Sequence, residues 1–405
     1  MSKIPKLRFE EFNTVNEVYV FEDIFSFSTG KNIKQNEASP DFKIPCVRYG
    51  ELYHMYGEVI SKVVNKTNLD KSELSFSEGN EILMPSAGED PLDIGSASAL
   101  TIKDVAIGRT INILRPLNKN VYLQKYVSYY INEKLRKKIS TLAKGSSISN
   151  VYNSDLKKLK IPLPTLEEQE KIASFLTSID TKIEQLTKKE SLLKEYKKGV
   201  MQKIFSQEIR FKTDDGSEFC EWEEVKLRKL LKESKIKSTS SGQYEVLSST
   251  KDNIVLQSEY FNREIASKDN TGYKILKVNQ LVFSPQNLWM GNINVNTKYD
   301  VGIVSPSYKI YDFKQNLLVD YGKYFLKTSR MMYEYGQASE QGASVVRRSL
   351  NIDLFNSIKV SLPCVKEQNK IANFLSSIDT KIEQTGKQLE KIKEFKKALL
   401  QQMFV

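Results

Sequence analysis

The sequence predicts a mixed α/β (α+β) fold in which two globular modules are separated by two long antiparallel coiled-coil helices, with an internal pseudo-two-fold repeat. Three observations predict it. Residues 161–205 align without gaps on 360–404, with 24 identities in 45 positions at a spacing of 199 residues, far beyond the period of about 20–50 residues of a solenoid. Both copies carry apolar residues at alternating spacings of four and three, the heptad pattern of a coiled coil. The stretches between them mix short apolar runs with helical patterns. In a chain of 405 residues these features divide the sequence into a module at 1–160, a helix at 161–207, a module at 208–359 and a helix at 360–405.

Taken in order, Ile44–Tyr49, Glu81–Met84 and Thr110–Leu114 read as short strands of the first module, and Val121–Ser140 reads as a helix. The first long helix places Ile172, Leu176, Ile179, Ile183, Leu186, Leu193, Val200 and Ile204 on one seam, with Glu190 and Lys197 as its polar members. Pro164 precedes it, and Thr165-x-x-Glu168 has the form of a capping box. In the second module Leu281–Ser284, Val301–Val304 and Tyr308–Tyr311 are strand-like and Val319–Tyr335 is helical. The second long helix repeats the seam with Ile371, Leu375, Ile378, Ile382, Leu389, Ile392, Leu399 and Met403, interrupted by Thr385 and Lys396. Pro363 precedes it, but Cys364-x-x-Glu367 keeps only the glutamate of the box. A helix of about 38 residues is about 57 Å long. Neither can bury its seam alone, and because a whole module separates them they pair antiparallel.

Weaker matches extend the duplication upstream. Leu7-Arg8-Phe9 answers Ile209-Arg210-Phe211, and Tyr126-x-x-Tyr129-Tyr130 answers Tyr321-x-x-Tyr324-Phe325. Gly145-Ser146-Ser147 answers Gly342-Ala343-Ser344, and Asp155-Leu156 answers Asp353-Leu354. Between these anchors Lys31–Arg115 and Lys232–Lys314 share little. One frame holds two different interiors, which suggests the same job done on two targets.

Composition narrows the job. A net charge of +11 from 61 basic and 50 acidic residues favours a polyanionic partner. The excess is spread along the chain rather than gathered in a tail. Cys46, Cys220 and Cys364 are far apart and odd in number, which excludes a disulfide framework or a cysteine zinc site and suits a reducing cytoplasm. His54 is the one histidine, so a histidine metal cluster or catalytic triad is not expected. No apolar run has the about 20 residues of a membrane span. The polar start, Met1 to Lys6, lacks a signal-peptide core, so a cytoplasmic location is expected.

Catalytic motifs are missing. Gly30-Lys31 and Gly386-Lys387 lack the rest of a phosphate-cradling loop. Ser305-Pro306-Ser307-Tyr308 approaches the turn with which adenine methyltransferases hold a flipped base but lacks its second proline, and Ser284-Pro285-Gln286-Asn287 lacks the aromatic as well. Asp215 with Glu224-Val225-Lys226 fits a nuclease spacing only loosely. The chain is therefore expected to be no enzyme and to hold no metal or cofactor itself.

Binding signals are better. From Lys134 to Ser154 five basic residues and no acid occur. Of these, Lys137, Lys138 and Lys144 run into Gly145, Ser146 and Ser147, a combination of phosphate-neutralising side chains and closely approachable backbone. The parallel place in the second half holds Gly342, Ser344, Arg347 and Arg348; paired arginines can read a guanine edge or hold phosphate. Gln286 and Asn287 carry amides suited to adenine edges. These twelve residues are the candidate DNA-binding set.

Both long helices open with Leu-Pro-x-x-x-Glu-Gln-x-Lys-Ile-Ala-x-Phe-Leu, at Leu163–Leu176 and Leu362–Leu375. With the duplication and the length, this motif resembles the specificity subunit of type I restriction-modification systems, with Tyr19 standing roughly where the second module has Trp222. The resemblance implies two target recognition domains, each reading half of a bipartite sequence in double-stranded DNA. It implies helices that set the spacing and dock two methylation subunits, with motor-nuclease subunits joining them. S-adenosylmethionine, ATP and Mg would belong to those partners. The competing readings are a stand-alone DNA methyltransferase or nuclease with duplicated reading domains, and a coiled-coil scaffold that binds no DNA.

Overall fold

The structure, a computed structural model, describes residues 4–118, 120–145, 147–260, 267, 269–341 and 348–405. Five helices carry the argument: α1 (Gln124–Tyr130), α2 (Leu166–Phe205), α3 (Val319–Phe325), α4 (Ser329–Gln337) and α5 (Val365–Met403). The chain divides into two units, Met1–Lys188 with Gly386–Val405, and Lys189–Thr385. The division runs through α2 and α5, which are continuous helices of 40 and 39 residues.

The first unit is built on a five-stranded sheet in the order Phe25–Thr29, Ile111–Pro116, Glu81–Pro85, Ser98–Leu100 and Val59–Ile60. Its neighbours are antiparallel except the last pair. Strand Glu81–Pro85 is buried throughout, as an interior strand packed on both faces must be. The second unit repeats the arrangement with Leu231–Ser234, Lys309–Phe313, Leu281–Phe283 and Ile293–Val295, all antiparallel. In both units a further strand pair closes the base of the long helix: Glu17–Val20 on Lys160–Leu163, and Glu223–Lys226 on Lys359–Leu362.

Two expected helices differ. Val121–Ser140 is formed by α1, one π turn at Ile131–Leu135 and a short helix at Arg136–Ser140. Val319–Tyr335 breaks into α3 and α4, because the Thr328 hydroxyl accepts the Met331 N–H and begins a new helix. The ladder also corrects the match of Tyr19 with Trp222. Tyr19 lies opposite Ile161, and since Glu17 and Glu223 hold equivalent places opposite Leu163 and Leu362, the counterpart of Trp222 is Asn16.

The repeated motif residues hold the frame. Glu168 is almost wholly buried and accepts two bonds from the Arg8 guanidinium, at 2.7 and 2.6 Å; Glu367 accepts from Arg210 at 3.1 Å and from the Trp222 indole at 3.0 Å. Of the expected capping box only the Thr165 half forms, the Glu168 N–H lying 3.4 Å from Thr165 Oγ1, because the Glu168 carboxylate goes to Arg8. The next residue, Gln169, donates to the carbonyls of Pro164 and Val121 and accepts the Leu123 N–H. Gln368 does the same with Pro363, Asn316 and Leu318. The glutamine thus joins helix, preceding strand and the loop before the adjacent short helix.

Ile172, Leu176 and Ile179 are buried in one core with Leu399, Met403 and Phe404, and Ile183 packs against it half-buried. Ile371, Leu375 and Ile378 are buried with Ile204 in the other, and Ile382 packs against it. In each unit the start of one helix meets the end of the other, so the pairing is antiparallel. The polar seam members explain the register. Lys396 reaches Asp180 at 2.6 Å and Glu58 at 3.0 Å, over the Tyr129 ring whose hydroxyl donates to Asp180 at 2.5 Å. Lys197 reaches Asp379 at 2.5 Å over the Tyr324 ring, whose hydroxyl donates to Asp379 at 2.7 Å.

Burial alone lowers the Lys396 pKa, but Glu58 and Asp180 more than offset it, so the ammonium titrates above its ordinary value. Substituting Lys396→Ala leaves two largely buried carboxylates unpaired and should cost about 3 kcal/mol in urea unfolding of the complete chain. Since the folded pKa is raised, the lost stability should be present throughout about pH 6–9 and converge with wild type only in strong alkali. A cost independent of pH up to the strongest alkali would count against the ion pair as its source.

Candidate nucleic-acid interface

In the first unit Lys137 and Lys138 are exposed in the last turn of the helix Arg136–Ser140. Beyond it the backbone of Lys144 exchanges hydrogen bonds with Asn150 at 2.9 and 2.8 Å, closing a tight loop. Gly145 sits there at φ +131, and a Cβ on it would stand 2.1 Å from the Ile148 carbonyl oxygen. Only glycine fits. Ser147 and Ile148 are exposed at the tip, while Ser146 lies outside the described residues. The Lys144 ammonium is taken by Asp155 at 3.1 Å, which weakens its claim on a phosphate. Lys137 and Lys138 make no described contact with this loop. It is anchored instead by strand Ser149–Asn150 on Ala87–Gly88, directly after the central strand Glu81–Pro85.

The second unit makes the equivalent junction with different residues. The loop after strand Leu281–Phe283 carries Gln286, exposed, and Asn287, half-buried. Arg348 begins strand Arg348–Leu350, and its N–H donates to the Gln286 carbonyl at 3.3 Å. Its guanidinium lies 4.3 Å from the centroid of the Trp289 ring, a stacking distance for a planar cation. Arg348 Nε and Trp289 Nε1 are buried with no hydrogen-bond partner among the described residues. Gly342, Ser344 and Arg347 lie outside the described residues. Sequence reasoning placed Gln286, Asn287 and Arg348 in one set without the contact that joins them. Trp289, two residues after the turn Ser284–Asn287, reads from sequence as a core anchor; that it is the surface on which the arginine rests was not legible.

The near-miss catalytic motifs have structural explanations. Asp215 caps a turn through Thr213 and Ser217, which hold its carboxyl far below the usual range, and Glu224 pairs with Lys359 at 2.7 Å. Ser305–Tyr308 is a turn closed by the Tyr308 N–H on the Ser305 carbonyl at 3.0 Å. Among the described residues no group of three or more His, Cys, Asp or Glu could hold a metal, and no helix is long and apolar enough to cross a membrane. Cys220 and Cys364, distant in sequence, are neighbours and both free thiols; a hydrogen bond to Cys364 raises the Cys220 pKa.

The model of the type I restriction modification DNA specificity domain matches twice, at residues 15–195 and 220–394. The chain belongs to this family. Curated relatives are specificity subunits from Methanocaldococcus jannaschii. The putative MjaX subunit is 28% identical over 72% of this chain and 70% of its own length, and the MjaVIII subunit is 26% identical over 84% and 81%. The fold is shared with the crystal structure of a type I system S subunit from M. genitalium, at a TM-score of 0.61 and 17% identity over 99% of both chains. The specificity chain therefore carries two target recognition domains and serves in DNA sequence recognition. The junctions beside the two central strands are their candidate reading edges.

If Arg348 shields Trp289 as the geometry shows, Arg348→Ala in a Trp222→Phe background should raise acrylamide quenching of the remaining tryptophan severalfold. Unchanged quenching would remove the stack.

Proposed function

We propose that this chain reads DNA for a restriction-modification complex and catalyses nothing itself. The observation that carries the reading is the duplicated frame around two unlike interiors: the clasps Arg8–Glu168 and Arg210–Glu367 recur, while the sheet edges and loops they hold do not. Each domain would contact one half-site, the first through Lys137, Lys138, Lys144, Gly145, Ser146 and Ser147. The second would use Gln286, Asn287, Gly342, Ser344, Arg347 and Arg348, with Arg348 held ready by Trp289. Methyl transfer would come from two methylation subunits docked on α2 and α5, which bring S-adenosylmethionine. Motor-nuclease subunits would bring ATP and Mg. The whole complex would work in the cytoplasm. The modules and helices divide, on this proposal, at residues 160, 207 and 359.

Exchanging residues 1–155 for the first module of another family member should alter one half of the methylated sequence and leave the other intact, as read by mapping methylated adenines in cells that carry the full operon. A change in both halves would contradict independent reading.

The helix α2 runs unbroken from the first domain into the second, and its length would set the gap between half-sites. Four residues inserted after Gln185 add about 6 Å, close to two base pairs at about 3.4 Å each. They turn the seam by only about 40°, which a coiled coil absorbs as it does a stutter. The variant should methylate the same half-sites across a longer gap, at reduced activity because the DNA also rotates. An unchanged gap would show that the helices hold the assembly without measuring DNA.

A further inference from the structure

A groove of about 800 Å³ in the second unit runs between α2 and the break that separates α3 from α4. Six cations line it: Lys194, Lys197 and Lys198 from α2, with Lys323, Lys327 and Arg330 opposite. Three are matched by carboxylates, Lys194 by Glu190 at 2.6 Å, Lys197 by Asp379 at 2.5 Å and Lys323 by Asp320 at 2.9 Å. Lys198 and Arg330 are exposed and have no carboxylate partner among the described residues. Lys327 turns its ammonium to Asn294 Oδ1 at 2.6 Å and to the Asp252 carbonyl at 3.1 Å, and burial pushes its pKa down to about 8. The groove is thus a half-desolvated positive cleft, the environment in which an anion is held most strongly.

We propose that this groove is a phosphate-binding site for the DNA backbone, separate from the reading edge at Gln286 and Arg348. The proposal rests on the DNA-recognition function and adds a grip that carries no sequence information. Its occupant follows from charge: among the described residues six cations and no carboxylate line the groove, and phosphates are the polyanion that a DNA-recognition chain meets. A surface for a protein that docks on both units would be built twice, and one wall is: Lys194, Lys197, Lys198, Met201 and Phe205 recur 199 residues on as Lys393, Lys396, Lys397, Leu400 and Phe404. The facing wall does not recur. Lys323 and Lys327 stand where the first unit, aligned on Tyr129 and Tyr324, has Ser128 and Asn132. The full set of cations therefore belongs to the second unit and not to a protein dock built alike on both. Met201 and Phe205 give it an apolar strip on which deoxyribose rings can lie while the lysine heads meet phosphates.

The test uses the complex purified with its own methylation subunits and a duplex carrying the methylated sequence mapped for this system. Lys198→Ala with Arg330→Ala removes the two exposed charges that no carboxylate matches among the described residues; Lys188→Ala with Lys189→Ala, exposed elsewhere on α2, is the matched control. The slope of log K against log salt should fall by about two in the groove variant, roughly 0.9 per phosphate. Affinity at fixed physiological salt should drop about tenfold or more, the methylated sequence should stay the same, and the control should keep the wild-type slope. An unchanged slope, or an equal loss in the control, would overturn the proposal. So would loss of the methylation subunits from the groove variant with DNA binding intact, which would assign the groove to an acidic protein surface. A wild-type complex without salt-dependent DNA binding would instead sink the recognition function beneath it.

Discussion

A lysine in a helix seam needs a carboxylate within reach, and the arrangement of both units depends on how Lys197 and Lys396 find theirs. Each meets the aspartate of the other helix, Asp379 and Asp180, over a tyrosine ring. A parallel pair would set equivalent positions side by side, Asp180 against Asp379 and Lys197 against Lys396, so that like charges met. Antiparallel pairing exchanges them. Because the two copies are offset by one fixed interval, a single register satisfies both pairs, and a slip of one heptad would strand four charges. Polar seam residues of this kind lower stability relative to a fully apolar seam and in return select one alignment.

The clasps at the helix bases build outward from that register. Glu168 and Glu367 are buried acids that require Arg8 and Arg210, so the segment that opens each module is tied to the helix that follows it. Gln169 and Gln368 tie in the loop before the adjacent short helix. What these bonds leave free is the far side of each sheet, where the loops after Glu81–Pro85 and Leu281–Phe283 differ in length, charge and aromatic content. A rigid base with variable loops is how one scaffold accommodates unlike ligands.

The helices were legible in the sequence because a heptad is a local pattern, and Ile172, Leu176, Ile371 and Leu375 could be placed by spacing alone. The strands Glu81–Pro85, Ile111–Pro116 and Lys309–Phe313 were legible to within a residue or two for the same reason. Other features depend on partners far along the chain. Glu168 has the spacing of a capping residue, and only folding brings Arg8, 160 positions away, to claim it. Lys197 and Lys396 looked like flaws in the seam because their aspartates lie on the other copy, and Glu58 gave no sign of meeting Lys396. The split between α3 and α4 was hidden because helical periodicity continues through Leu326–Thr328 while a single hydroxyl restarts the turn. At the candidate interface sequence could name residue types, but not that Trp289 supports Arg348 or that Asp155 occupies Lys144.

The division of the chain also orders its synthesis. The second unit is one contiguous stretch, Lys189–Thr385, whereas the first needs Gly386–Val405 to cover Ile172, Leu176 and Tyr126. On a ribosome moving at about 5–20 residues per second, the first 188 residues wait on the order of tens of seconds for the helix that completes their core. The later-made unit can close first, and the earlier one remains a partner-seeking intermediate with an open apolar seam. A premature stop late in the message would therefore injure the domain encoded at its beginning.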